Sequence, residues 1–224
     1  MKKSTQVACI VLLVLLIDQV LKIWVKTSFF YGEEIHLIGD WARLHFLENE
    51  GMAYGARLHD LPIIGKFISP AAAKPMLTFF RIFAVGFIIY LIQKMIKNGT
   101  KLGAIRCMGL ILAGAVGNII DSVFYGKIFS ESPRYTNQVA TLFPEGGGYS
   151  NWFYGHVVDM FYFPIINTTL PEWLPLKGGE QFEFFRPVFN VAEASISIGI
   201  FIILLFYRSI FQDEQTVQPV EPTS

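Results

Sequence analysis

Hydrophobic positions along the chain form four long runs that are separated by polar connections. The runs cover residues 7–25, 76–92, 102–120 and 187–207. A helix of about 20 residues crosses the hydrocarbon layer of a membrane, so each run is long enough to span it, the second only just. A cleaved secretory signal is the alternative for the first run, but no small-residue cleavage site follows it. The pattern predicts a bundle of four transmembrane helices.

Two long connections, residues 26–75 and 121–186, have a different pattern. Residues 35–58 alternate apolar and polar positions and contain turn-forming glycines, which is typical of short strands. The second connection contains the glycine-rich stretch FPEGGGYSNWFYGH, where we expect a loop. The end of the chain has no apolar periodicity, so we predict one membrane domain over 1–211 and a disordered tail over 212–224.

The composition supports a membrane protein and argues against several other classes. Hydrophobic residues make up 53% of the chain and aromatic residues 15%, and the mean hydropathy is +0.45; soluble domains are usually less apolar. The formal net charge is zero, so no global field indicates a nucleic-acid partner. Cys9 and Cys107 each lie inside an apolar run, which argues against a disulfide scaffold or a zinc site. We expect no metal and no cofactor.

Basic residues near the ends of the runs predict the orientation of the chain. Lys2 and Lys3 precede the first run, and the link between the second and third runs carries Lys94, Lys97 and Lys101. Positively charged flanks of membrane helices stay in the cytoplasm. We therefore expect both termini and this link inside the cell, and both long connections outside.

Two helices carry the same polar pattern at the same predicted depth. Asn118 lies near the end of the third run and Asp121 directly follows it, while Asn190 and Glu193 lie near the start of the fourth. Each asparagine therefore shares a helix face with an acid three positions later. The third helix runs outward and the fourth inward, which brings both pairs to the outer membrane surface. Ionisable residues inside a membrane are costly and usually functional.

Three more residues belong to this layer, and each also has a simpler interpretation. Asp18 and Lys22 lie one turn apart near the outer end of the first helix, where they could only neutralise each other. Asp159 lies in the apolar block GHVVDMF and could be a solvated surface acid. Likewise, Asn118 could mediate helix packing, and Asp121 could simply end its helix. The functional interpretation depends on the whole set.

The chemistry that best fits the set is a pair of carboxyl groups sharing one proton. No serine-nucleophile motif or zinc-protease motif occurs. Two adjacent carboxyls cannot both ionise, so one activates water while the protonated one polarises a carbonyl. Two alternatives are a proton-coupled transporter, which would need polar residues through the full membrane depth, and a non-catalytic scaffold that binds lipidated peptides.

Five blocks occur in order along the chain: IDQVLK, ENEGMAYG, GAVGNIID, GHVVDMF and FNVAEASISIG. Together they resemble the motifs of bacterial lipoprotein signal peptidases, from the first helix to the fourth. The resemblance implies a multi-pass aspartic endopeptidase of the bacterial inner membrane, which removes the signal peptide of a prolipoprotein before a diacylglyceryl-modified cysteine. The expected fold is an all-α membrane protein with four transmembrane helices, a small extracytoplasmic β-platform and an inserted outer loop.

The resemblance also assigns roles to individual residues. It makes Asp159 and Glu193 the catalytic pair. We further predict that Asn49 and the segment 47–55 hold the peptide over this pair. The supporting positions, together with Lys22 from the layer described above, are Asp18, Lys22, Asn49, Gly51, Asn118, Asp121 and Asn190. The expected partners are prolipoprotein substrates and membrane lipids, with no nucleic acid, and we expect a monomer.

The chain departs from the family pattern at three places. Glu193 stands where the family usually has aspartate, and Ser122 stands where it usually has arginine, so that Arg134 or Arg186 could substitute. The stretch before Asp159 contains an insertion at roughly 127–155, which could act as an extra lid.

Overall fold

The computed structural model describes residues 1–50, 69–173, 175 and 178–207. Apolar helices form a bundle, and a small antiparallel sheet packs at one end of it, which we call the sheet end. The helices are α1 (Lys3–Ser28), α2 (Pro70–Lys97), α3 (Leu102–Ile120), the short α4 (Gly126–Ile128) and α5 (Val191–Phe206).

Three helical segments, Lys3–Ser28, Ala72–Lys97 and Leu102–Ile128, are long and apolar enough to cross a membrane. The fourth helix, α5, has 16 residues. At 1.5 Å per residue it is about 24 Å long, short of the roughly 30 Å hydrocarbon layer. Three of the four predicted runs are therefore confirmed as helices long and apolar enough to span a membrane, and the count of four spans stays a prediction. Apolar side chains such as Phe83 and Phe201 are exposed on the helices, as expected where lipid is the solvent.

Helices α1 and α2 extend beyond the predicted ranges 7–25 and 76–92 at both ends. Two further differences affect the candidate site. The fourth helix begins at Val191 instead of residue 187, because the chain before it is extended and Asn190 caps the helix. The third helix does not end at residue 120 but continues through one π-helical turn, Asp121–Tyr125, into α4. This wider turn brings Asp121, Ser122 and Tyr125 into the protein interior, where all three are buried.

Helix α3 is the centre of the bundle and packs against α1, α2 and α5. Small residues make these close contacts possible. A Cβ atom on Gly114 would overlap the carbonyl oxygen of Ala192 in α5. On Gly117, it would lie 2.8 Å from Asp18 Oδ2 in α1. The glycines therefore allow three helices to meet at the sheet end.

The sheet contains four antiparallel strands and lies beside the ends of the helices. The strands are β1 (Glu34–Ile38), β2 (Ala42–Asn49), β3 (Val157–Tyr162) and β6 (Val188–Phe189), in the spatial order β1-β2-β3-β6; a separate hairpin contains β4 (Ile166–Thr169) and β5 (Gln181–Phe184). Leu47 pairs with Asp159 in the β2–β3 register, and Asn49 pairs with Val157. The strands predicted within 35–58 are confirmed for the described part of that range.

The insertion predicted at 127–155 packs against the bundle. Phe129 belongs to the same hydrophobic cluster as Val25 of α1, Phe46 of β2 and Met160 of β3, and all four are buried. A single bridge pairs Phe129 with Leu142. The insertion thus contributes to the core beneath the sheet.

Three predictions fall outside the described residues. They concern Gly51, the part of the peptide-holding segment from 51 to 55, and the tail over 212–224. The domain range 1–211 also stays a prediction.

Candidate active site

Lys22 is the central cation of the candidate site and is fully buried. Its ammonium group donates to Asp18 Oδ2 at 2.9 Å, Asp121 Oδ2 at 2.7 Å and Asn118 Oδ1 at 3.0 Å. An ammonium group has three donors, so all of them are used. The Asp18–Lys22 pair that the sequence predicted is present, but it belongs to a network that joins α1 to α3. Such full pairing is what makes a buried charge tolerable.

Asp18 also fixes the beginning of α5. Its Oδ1 accepts a hydrogen bond from the Ala192 backbone amide at 2.8 Å. The Asn190 side chain accepts from the Glu193 amide at 2.9 Å. Two of the amides that have no partner within the helix are thus satisfied, and the negative charge of Asp18 lies at the positive end of the helix dipole.

Asp121 similarly accepts a hydrogen bond from the backbone of strand β3. Its Oδ2 accepts from the Val158 amide at 3.4 Å, and its Oδ1 accepts from Gln19 Nε2 at 2.9 Å. The Tyr125 hydroxyl donates to Gln19 Oε1 at 3.1 Å. Sequence reasoning missed Gln19 and Tyr125. Gln19 could have been identified from the sequence, since it is a polar residue in an apolar run. Tyr125 could not, because only the π-helical turn brings it close to Gln19.

Asp159 lies on β3, almost fully buried, and two asparagines hold its carboxyl group. Asn190 Nδ2 donates to Oδ1 at 2.6 Å, and Asn49 Nδ2 donates to Oδ2 at 3.4 Å. Asn190 Nδ2 also donates to the Val158 carbonyl at 3.2 Å. Because Asn190 also caps the amide of Glu193, one side chain connects the strand that carries Asp159 to the helix turn that carries Glu193.

The electrostatic environment of Asp159 favours its protonated form. Burial raises the pKa of Asp159 well above its ordinary value, and the negative charge of Glu193 raises it further. The charge of Lys22 and the bonds from Asn190 and Asn49 lower the pKa but do not offset these effects. Glu193 is therefore close enough to influence the ionisation of Asp159. Glu193 itself is partly exposed.

Ser122, at the position where the family usually has arginine, contacts an arginine from another helix. The Ser122 hydroxyl donates to the Asn118 carbonyl at 2.8 Å and accepts from Arg81 Nη1 at 3.0 Å. Arg81 comes from α2, and sequence reasoning did not consider it for this role. The two arginines that it did consider, Arg134 and Arg186, instead line a cavity beside Asp159.

A second charged cluster attaches the insertion to β2. Lys26 donates to the Glu48 carboxylate, Ser132 Oγ donates to Glu48 Oε1 at 3.0 Å, and His156 Nδ1 lies 3.0 Å from Glu48 Oε2. Burial alone would raise the pKa of Glu48, but the bond to His156 and the charge of Lys26 lower it to about 2. The insertion is therefore held one residue away from Asn49, which contacts Asp159.

A cavity of about 520 Å³ opens beside Asp159. Its walls come from β2, from the insertion and from the segment that leads into β6. The lining residues are Tyr31, Leu47, Glu48, Asn49, Glu50, Arg134, Asp159, Arg186, Pro187 and Val188. Across the described residues, no group of three or more histidine, cysteine, aspartate or glutamate side chains could hold a metal ion. The arrangement provides two interacting carboxyl groups with an adjoining space for a ligand.

Similarity to known proteins identifies the family. The family model for signal peptidase (SPase) II matches residues 10–209. The chain belongs to the signal peptidase II family. It is 47% identical to the lipoprotein signal peptidase of Porphyromonas gingivalis strain W83, over 97% of this chain and 93% of that protein. It is 36% identical to the lipoprotein signal peptidase of Amoebophilus asiaticus strain 5a2, over 99% and 85% of the two chains.

Two solved structures, both described as bacterial membrane enzymes, share the fold of this signal peptidase II family member. One has 20% sequence identity and a TM-score of 0.54, covering 97% of this chain and 94% of the other. The second has 22% identity and a TM-score of 0.55, covering 89% and 90%. The resemblance carried by the five sequence blocks is confirmed. The roles of individual site residues stay predictions.

Proposed function

We propose that the chain is an aspartic endopeptidase of the bacterial inner membrane that removes signal peptides from prolipoproteins. Membership of the signal peptidase II family supports the peptidase activity, and both relatives named above are lipoprotein signal peptidases. The cut would fall immediately before a cysteine that carries a diacylglyceryl group. Asp159 and Glu193 would be the catalytic pair.

The observation that carries this assignment is the double attachment of the Asn190 side chain. Its amide nitrogen lies 2.6 Å from Asp159 Oδ1, and its amide oxygen accepts from the Glu193 backbone at 2.9 Å. The two acids come from a strand and a helix that are far apart in sequence. A single buried side chain that bonds to both sets their relative position, as a pair sharing one proton requires.

We assign Asp159 as the acid of the pair, because it is almost fully buried and burial favours its protonated form, and the partly exposed Glu193 as the base. As a water oxygen attacks the scissile carbonyl carbon, Glu193 takes the proton from that water and Asp159 donates its own proton to the carbonyl oxygen. The tetrahedral intermediate then loses its amine, which leaves with the proton held by Glu193. Asp159 recovers a proton from the intermediate as the carboxylic acid product forms.

The remaining site residues would position this pair and the substrate. Lys22, Asp18 and Asp121 join the helix ends and the strand, as Asn118 does through its bond to Lys22. Asn49 and the cavity beside it would hold the peptide over Asp159, while the acyl chains would lie in the apolar grooves between helices. The chain would act as a monomer, with both termini in the cytoplasm and the site at the outer membrane face.

The proposal is tested by measuring how the detergent-purified protein cleaves a diacylglyceryl-modified precursor and its unlipidated counterpart. Asp159→Asn and Glu193→Gln preserve side-chain shape but remove the shared proton. Each should reduce cleavage of the lipidated precursor at least about 10²–10⁴-fold, the usual contribution of general acid–base catalysis. Glu193→Asp keeps a carboxylate and should retain weaker activity.

Asp40→Asn and Glu145→Gln are matched controls, because these two acids are exposed and lie outside the site. Both should cleave at the wild-type rate. Wild-type cleavage by Glu193→Gln would remove Glu193 from the mechanism. Equal cleavage of both precursors would contradict the lipid requirement, and binding without cleavage by the wild type would support a scaffold.

A further inference from the structure

Arg81 is the only charged residue of the apolar run 76–92, yet its side chain turns towards the site. It donates to Ser122 Oγ at 3.0 Å. The Ser122 hydroxyl already gives its proton to the Asn118 carbonyl at 2.8 Å, so its lone pairs remain to accept from the guanidinium group. The contact therefore joins α2 to the π-helical turn immediately beside Asp121.

Three carboxylates act electrostatically on the Arg81 guanidinium. The strongest interaction is with Glu193, followed by Asp121 and then Asp159. The buried cation of the site, Lys22, uses its three donors on Asp18, Asp121 and Asn118. Arg81 thus brings a second positive charge to the site, from a helix that Lys22 does not belong to.

We propose that Arg81 is a positioning residue of the catalytic pair and replaces, from α2, the arginine that Ser122 lacks. Through its bond to Ser122 it fixes the turn after Asp121, and its guanidinium group places a positive charge near the pair. The small Ser122 side chain leaves space for the guanidinium group and offers it an acceptor. This inference rests on the proposed function, because it presupposes that Asp159 and Glu193 form the pair.

Loss of the Arg81 charge should change the pH profile as well as the rate. A nearby cation keeps a carboxylate ionised at lower pH, so the acid limb of the kcat profile should move to higher pH without it. Arg81→Gln keeps a donor for Ser122 but removes the charge, and it should lower kcat roughly 10–100-fold with little change in KM. Arg81→Lys keeps the charge and should retain the wild-type acid limb.

Moving the arginine back to position 122 is the sharpest test. The double variant Arg81→Ala/Ser122→Arg should recover much of the kcat that Arg81→Ala loses and should restore the acid limb. Ser122→Arg alone places two cations in one space and should be less active than the wild type. Arg106→Ala is the matched control, because Arg106 bonds Gln6 through its guanidinium group, away from the site, and its loss should change neither kcat nor the pH profile.

The outcomes separate this inference from the proposed function. If Asp159→Asn is inactive while Arg81→Gln has the wild-type kcat and acid limb, Arg81 has no positioning role and the catalytic pair stands. If Asp159→Asn cleaves normally, the proposed function itself is wrong. If Arg81→Ala does not fold, kcat and the acid limb are measured on Arg81→Gln and on the double variant instead. The inference is overturned if Arg81→Gln, which lacks the charge, and the double variant, which carries it at position 122, do not differ in kcat or in the acid limb.

Discussion

Asn190 shows why this site uses an asparagine where a helix needs only a cap. Serine and aspartate cap helices as well as asparagine does. An amide has, in addition to its capping oxygen, two N–H donors on a separate nitrogen, whereas serine has one O–H and an ionised aspartate has no donor. Asn190 Nδ2 uses these donors on the Asp159 carboxyl group and the Val158 carbonyl. Glu193 is the third residue of the helix, a position where an acid is common behind such a cap. The position of the candidate catalytic residue Glu193 is therefore set by an ordinary helix N-terminus.

Replacement of Asn190 should separate its two roles. Asn190→Ser keeps a capping oxygen but cannot reach Asp159, whereas Asn190→Ala loses both contacts. Both should lose activity, and because the lost bond lowers the pKa of Asp159, that pKa should rise further and the pH optimum should move upward. Only Asn190→Ala should also lose about 1 kcal/mol of stability from the cap.

Thermal unfolding in detergent and the pH dependence of kcat measure the two effects independently. Asn137 provides the control: Asn137→Ser and Asn137→Ala alter an exposed asparagine outside the site. Equal loss of stability in Asn190→Ser and Asn190→Ala, with an unchanged pH profile, would contradict the bond to Asp159 as its functional role.

The sequence predicted the polar residues that repeat a pattern or lie in a recognised block, and it missed Gln19, Tyr125 and Arg81. Asn118, Asp121, Asn190 and Glu193 stood out because acid and amide share a helix face on two adjacent runs. The spacing of Asn190 and Glu193 is also that of a helix cap and an acid in the first turn, so it indicates the start of α5 at Val191. The apolar run alone placed this start at residue 187. Arg81 occurs alone in its run, and its partner at position 122 becomes visible only when α2 and α3 pack together.

At the scale of elements, helix α3 decides whether the site can assemble. Its glycines allow α5 and α1 to approach so closely that Asp18 of α1 reaches the Ala192 amide at the start of α5. The same face of α3 carries Asn118 to Lys22. The close packing of α1 and α5 on α3 therefore also determines the geometry of the candidate site.

Substitution of Gly114 should test this dependence. A Cβ atom there would overlap the Ala192 carbonyl oxygen, so Gly114→Ala should push α5 away from α3. We expect a loss of roughly 1–3 kcal/mol of stability, typical of overpacking, and a large loss of cleavage. The thermal midpoint in detergent and the cleavage rate measure these effects.

Gly86→Ala in α2 is the control for this substitution. A Cβ atom on Gly86 would have nothing within 4 Å, and alanine favours a helix more than glycine does. The Gly86 variant should therefore be as active as the wild type. Full activity in Gly114→Ala would mean that the α3–α5 contact does not position the pair.

The insertion was visible in the sequence only as extra length. Its attachment depends on Lys26 from α1, Glu48 from β2 and Ser132 from the insertion itself, which are distant along the chain. No local pattern links such residues, so its packing beneath the sheet could not be predicted. The expectation of an extra lid stays a prediction, although Arg134 does reach the cavity beside Asp159.

At the scale of the whole molecule, a group of lysines lies at one end of the bundle and the candidate site lies at the other. The Lys3 ammonium group donates to the Thr100 carbonyl at 2.8 Å, so the beginning of α1 meets the link between α2 and α3. Lys97 and Lys101 flank this link. The candidate site and the sheet lie at the other end, where α1 and α3 finish and α5 begins. From this distribution of basic residues we predict that the basic end lies in the cytoplasm.

Labelling of introduced cysteines tests that orientation. Cys9 and Cys107 are replaced by alanine, and Tyr135→Cys or Asn98→Cys is added; Tyr135 is 97% exposed in the insertion, and Asn98 is exposed in the α2–α3 link. A membrane-impermeant maleimide should label the Tyr135→Cys variant in intact spheroplasts and the Asn98→Cys variant only after permeabilisation. Retained cleavage of the lipidated precursor shows that each variant is folded. The opposite labelling would put Asp159 and Glu193 at the cytoplasmic face, where a signal peptide that has crossed the membrane could not reach them.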